Sequence, residues 1–166
     1  MSKNTIYRAN FVPATTFQGV SSTAEVTAVD NAGSAIRLKI APGVTKDRNF
    51  RIKVGGRINF GAGTFKIDIY DGLFSASGVK IASSGSLTPA AGSFLVYADC
   101  TSDPTSDDIQ GIVDGHIGNT KVTAAAIEAA ATWDPDVEHN LSVSLDWGSS
   151  NAGNGVQVRS LEVELL

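Results

Sequence analysis

A chain of 166 residues, 42% hydrophobic and only 18% charged, is the size of one compact domain that can bury a core without staples, and its abundant small residues suit short strands better than long exposed helices. A formal net charge of -4 without any dense Lys/Arg run excludes the footprint of a phosphate-backbone binder, so nucleic acid is not an expected partner. No apolar run approaches the ~20 residues of a membrane span, Met1 to Arg8 lacks the apolar core of a secretion signal, and the lone Cys100 excludes an internal disulfide framework and suits a reducing cytoplasm.

Residues 1–19 show no regular period, yet Ile6, Tyr7, Phe11, Val12 and Phe17 are apolar enough to require cover. That combination predicts an extended N-terminal arm lying on something, ahead of a single domain over residues 20–166. From Ala24 onward the dominant signal is period-two alternation, the mark of strands with one face on a core and the other in water. Ala24, Val26 and Ala28 form one such face; Ile36, Leu38 and Ile40 a second; Phe65, Ile67 and Ile69 a third. Turn chemistry at Asp30–Gly33, Asp71-Gly72, Ser83–Ser86 and Ser149–Gly155 separates the runs.

Phe50 to Phe60 contains Gly55-Gly56, which could turn a hairpin. A two-residue turn there would oppose Val54 to Arg57 and Ile52 to Asn59, mixing core and solvent groups. Phe50, Ile52, Val54, Gly56, Ile58 and Phe60 instead share one face of a single long strand, bent or closely approached at its glycines. Gly61-Ala-Gly63 then reads as a hairpin turn. In Phe94–Cys100, Cys100 shares the side of Phe94, Val96 and Ala98 and is expected in the core. Gly118-Asn119 predicts a hairpin. Thr123–Thr132 could form a short helix by alanine propensity, but Val122, Ala124 and Ala126 alternate and favour strand. Leu141, Val143, Leu145 and Trp147 make the longest regular face, with Ser142, Ser144 and Asp146 toward water. The last run changes phase between Val158 and Leu161, predicting a bulge near Arg159 and Ser160. Many short strands at this spacing suggest a sandwich or barrel.

Chemistry is sparse. His116 and His139 lie beside no nucleophile elbow and in no metal-binding helix, so neither catalytic nor cofactor-binding nor metal-ligating residues are assigned, and no enzyme is expected. The acidic stretches Asp103–Asp108 and Asp134–Glu138 lack the central Gly and terminal Glu of a calcium loop and read as structural turns. Trp147 continues a buried face; Trp133, beside Asp134-Pro135, sits in a less regular segment and is the candidate for an exposed aromatic platform.

Trp133-Asp-Pro-Asp-Val-Glu-His-Asn-Leu-Ser-Val-Ser-Leu-Asp-Trp147, followed by Ser149–Asn154 and a strand ending Leu161-Glu-Val-Glu-Leu165, resembles small structural proteins of tailed bacteriophages, in detail over about the last 35 residues. The resemblance implies an all-β, jelly-roll-like β-sandwich of two antiparallel sheets. It further implies a non-enzymatic decoration (cement) protein on the capsid surface, assembled in the host cytoplasm, with the major capsid protein and its own copies, as a homotrimer, for partners. The arm residues Ile6, Tyr7 and Phe11 would then anchor it on a neighbour. The alternative is a tail or fibre accessory, or a carbohydrate-binding module using Trp133.

Overall fold

The computed structural model describes residues 5–103, 107–122, 125–126 and 132–166. Among these, the strands are β1 (Ile6–Arg8), β2 (Val26–Thr27), β3 (Arg37–Ile40), β4 (Asn49–Asn59), β5 (Phe65–Asp71), β6 (Val79–Ser83), β7 (Gly92–Asp103), β8 (Asp108–Ile117), β9 (Thr120–Lys121), β10 (Ala125–Ala126), β11 (His139–Trp147) and β12 (Gly155–Leu165). A seven-stranded sheet runs β1-β12-β4-β7-β8-β10 with β9 on β8, and a five-stranded sheet runs β2-β11-β5-β6 with β3 on β11. Every pairing between named strands is antiparallel. The chain passes between sheets at β1–β2, β3–β4, β4–β5, β6–β7, β10–β11 and β11–β12, which wraps it into the expected jelly-roll-like β-sandwich.

The predicted inward faces meet between the sheets. Phe50, Ile52, Val54 and Ile58 of β4, and Val156, Val158, Leu161 and Val163 of β12, face Phe65, Ile67, Ile69, Leu141, Val143, Leu145 and Trp147, all at most 1% exposed. β4 is one uninterrupted strand, and the register of β12 on it shifts between Val158 and Ser160, where the phase change placed a bulge. Gly56 explains why the strand carries glycine there: a Cβ would lie 2.0 Å from the Gln157 carbonyl oxygen and 2.7 Å from the Phe94 ring. Gly56→Ala is therefore expected to cost about 1–3 kcal/mol by overpacking. An unchanged urea midpoint would mean the two strands are not so close.

The Gly118-Asn119 hairpin joins β8 and β9, with Gly118 at φ 59°. Of the Thr123–Thr132 segment, Ala125–Ala126 pair with β8 as strand; residues 123–124 and 127–131 lie outside the described residues.

Two expectations are corrected. Gly61-Ala-Gly63 is not a hairpin turn, because β4 and β5 belong to different sheets. It is a crossover clamped by buried Asn154, whose Oδ1 accepts from the Gly61 and Ala62 amides and whose Nδ2 donates to the Ala62 and Ser149 carbonyls. The outward face of β5 and β11 is not in water around Ser142, Ser144 and Asp68, which are at most 1% exposed. Glu25 folds over it, accepting from the Ser144 and Tyr70 hydroxyls, and the Tyr70 and Phe74 rings meet at 5.6 Å. Asp68 has no well-oriented hydrogen-bond donor and is neutralised by Lys66 at 3.2 Å and Lys80 at 3.7 Å. The surface on which the predicted arm lies is that of its own domain. Its β1 pairs with β12, Gln18 bridges to Val156, and the Gln18 side chain bonds the backbone of Val29, so the arm joins an edge of one sheet to an edge of the other.

Candidate functional site

Among the described residues, the outer face of the seven-stranded sheet keeps most of its outward side chains at least partly accessible. Its composition follows from the alternation along each strand, and its geometry from the register between strands. One cross-strand row reads Ile6, Glu164, Arg51, Asp99, Ile112; the next reads Arg8, Glu162, Lys53, Tyr97, Asp114. Within these rows each cation meets a carboxylate. Arg51 forks onto Asp99, with Nη2 donating to Oδ2 at 2.7 Å, and its guanidinium lies 4.5 Å from the Tyr97 ring centre. The hydrogen bond to Asp99 holds the Arg51 pKa above its usual value despite opposing desolvation. Lys53 pairs with Glu164, and Arg8 with Glu162 at 3.0 Å.

Apolar side chains interrupt this charged lattice. Ile112 is 53% exposed, Ile6 42% and Leu95 38%. Isolated exposed aliphatics are ordinary, but three on one flat face beside a fixed Tyr–Arg stack have the make-up of a protein-docking surface, in which Tyr and Arg anchors are enriched. The inward side of Phe94, Val96 and Ala98 left Leu95 outward, but Ile112 and its shared face with Ile6 needed the strand order.

Trp133 is not a platform. It is fully buried, its Nε1 donates to Thr45 Oγ1 at 2.9 Å, and its ring stacks between Phe50 at 5.3 Å and His139 at 3.7 Å. The irregular Asp-Pro turn suggested exposure, but it folds back over the sandwich end: the Pro135 carbonyl accepts from Gly43, and Lys46 and Lys39 pair with Asp136 and Glu138. The carboxylates of this turn are thus spent on lysines and on a cap of the Asp136 amide by Asp134. Residues 104–106 of the other acidic stretch lie outside the described residues. Among the described residues no three His, Cys, Asp or Glu side chains converge as metal ligands.

His139 is 3% exposed and spans two acceptors, Nδ1 at 2.6 Å from Asp71 Oδ2 and Nε2 at 2.9 Å from the Asp134 carbonyl. This is half of a triad in appearance only. The second nitrogen is held by a main-chain oxygen rather than a hydroxyl, and Trp133 covers the ring face, so no substrate atom can reach a base there. Burial acts to raise the Asp71 pKa, but hydrogen bonds from His139 and from the Asn140 and Gly72 amides outweigh it and hold the carboxyl below its usual 3.8. Cys100 is buried as predicted, and desolvation pushes its thiol well above the usual range. His116 is exposed on β8. Of the arm residues, Tyr7 and Phe11 pack against the chain's own core, while Ile6 remains exposed.

No family model and no curated protein matches the chain. Solved structures similar to it include the CBM2 module of the evolved Dit of Lactobacillus casei BL23 phage J-1, at 9% identity and TM-score 0.45, covering 98% of this chain and 97% of that one. The lectin-like defence protein arcelin-5 from Phaseolus vulgaris follows at 11% identity, TM-score 0.43 and 99% of each chain. Winged bean acidic lectin in complex with methyl-α-D-galactose shows 11% identity, TM-score 0.43 and 98% of each chain. With TM-scores below 0.5, these likenesses assign the chain neither a ligand nor a partner.

Proposed function

We propose that this chain is a non-enzymatic structural protein that docks on a protein partner through the outer face of the seven-stranded sheet, in the setting of a tailed-phage virion. The carrying observation is the shared exposure of Leu95, Ile112 and Ile6 around the Arg51–Tyr97 stack. The phage-structural resemblance of residues 133–165 supplies the setting, with the capsid lattice as the partner. A lattice repeats one surface many times, so an oligomer such as a trimer would engage several copies at once and gain by effective concentration. Of Ile6, Tyr7 and Phe11, Ile6 is the one available to such docking, since Tyr7 and Phe11 are turned to the core.

A carbohydrate ligand is the second reading. Asp99, Asp114 and His116 surround Tyr97 on this face, and planar polar side chains around a ring suit sugar hydroxyls. Against it, none of the seven Phe, three Tyr and two Trp residues is exposed, and Arg51 already covers the Tyr97 ring. Ile112→Asp separates the two. Co-sedimentation with capsids stripped of their outer layer should fall at least about tenfold, a loss on the scale of one interface anchor, with an unchanged melting temperature. Undiminished capsid binding, or glycan-array binding in its place, would overturn the protein-docking reading.

A further inference from the structure

One end of the same face is electrostatically unlike the rest. The row Ser160, Gly55, Leu95, His116, Lys121 contains no carboxylate, and neither does the adjoining row Gln157, Arg57, Ser93. The bulge in β12 turns Arg159 out to solvent, and its Nη2 lies 3.4 Å from Oε1 of Gln157, the cross-strand partner of Arg57. Arg57, Arg159 and Lys121 are all exposed, and none forms an ion pair among the described residues. By contrast Arg8, Arg51 and Lys53 on this face are each matched by a carboxylate. Leu95 sits between Arg57 and Arg159 on one side and Lys121 on the other. The five adjacent strands β12, β4, β7, β8 and β9 therefore present a cationic band with an apolar centre, roughly 19 Å across at about 4.8 Å per strand.

We propose that this band receives an acidic segment of the protein partner, carboxylates on either side of an apolar residue that seats on Leu95. The inference rests on the protein-docking reading of this face and specifies the chemistry of what docks. Charge complementarity carries it. In a chain of net charge -4, unpaired cations gathered beside an exposed leucine are matched by carboxylates flanking an aliphatic side chain. A polyanionic nucleic acid fits less well, because beyond the band Arg8, Arg51 and Lys53 are already taken up by Glu162, Asp99 and Glu164, and Asp114 adds a carboxylate, so the face offers an extended phosphate backbone no continuous run of free cations. A bulge that re-aims one side chain is a recurrent device at binding sites, and here it delivers Arg159 to the band.

The test uses the whole chain and a defined probe, a Glu-rich peptide with one central Leu, roughly six to eight residues long so that it spans the band when extended at about 3.3 Å per residue. Amide shifts in an NMR titration should concentrate at Arg57, Leu95, His116, Lys121 and Arg159. Affinity should weaken as salt is raised and fall at least about tenfold in the double variant Arg57→Glu/Arg159→Glu. That variant should melt close to the parent, because both side chains are exposed, neither is ion-paired, and the one bond lost is the long contact from Arg159 to Gln157. Equal binding of the Gln-for-Glu peptide, unchanged binding by the double variant, or tighter binding of an oligothymidine would overturn the inference. If the peptide fails while Ile112→Asp still abolishes capsid binding, the band is wrong and the docking face stands. If the peptide binds while Ile112→Asp leaves capsid binding intact, the docking reading fails and the band survives as an acidic-peptide site.

Discussion

Trp133→Ala is expected to destabilise the domain by about 3–5 kcal/mol, lowering the melting midpoint by something on the order of 10 °C for a chain of this size. The indole is fully buried between Phe50 and His139, and Thr45, its hydrogen-bond partner, is 1% exposed. Truncation would therefore open a large cavity and leave a buried hydroxyl without its donor. Trp133→Phe, which keeps an aromatic ring against Phe50 and loses the bond to Thr45, should cost clearly less. Thermal unfolding followed by circular dichroism reads both. Full stability with lost ligand binding in Trp133→Ala would mean that the indole is a surface platform after all.

Asp71→Ala is expected to cost about 2–3 kcal/mol, discounted from the 3–5 typical of a fully buried pair because the Asp71 side chain is 24% exposed. The loss combines the hydrogen-bond partner of the nearly buried His139 with the acceptor for the Asn140 amide. A pH signature follows. Because the carboxyl is held below its usual 3.8, the folded state binds fewer protons than the unfolded one near that pH. Its contribution is complete above roughly pH 4 and disappears as the pH falls through the lowered folded value. Urea midpoints taken from neutral to acid pH should therefore converge between parent and Asp71→Ala at the acid end. A gap that stayed constant down to strong acid would show that Asp71 acts by packing alone.

Much of the sandwich could be read from the residues because period-two alternation is a local property. Inward faces such as Ile36-Leu38-Ile40 and Leu141–Trp147, the unbroken strand through Gly55-Gly56, and the β12 bulge each follow from which side chains one backbone can send to one side. The same reasoning failed at Gly61–Gly63, since a short glycine turn looks alike whether the next strand pairs with the last or crosses to the other sheet. Only the Asn154 clamp and the pairing of β5 with β11 settle that.

The candidate site was legible only in pieces. Leu95, Ile112, Arg57, Arg159 and Lys121 are scattered over more than half the chain, and no local period reveals that the order β12-β4-β7-β8-β9 aligns them on one face. Trp133 shows the reverse limit. Its neighbours Asp134 and Pro135 announce a turn, and a turn suggests solvent, yet whether that turn stands out or folds back depends on Thr45, Phe50 and His139, contributed from distant positions. By itself, then, the sequence determined most of the long strands, their inward faces and the absence of a local catalytic motif, because those depend on neighbours along the chain. The tertiary structure alone decided which outward faces meet water, where the arm lies and which charges remain unpaired, because exposure and pairing depend on neighbours in space.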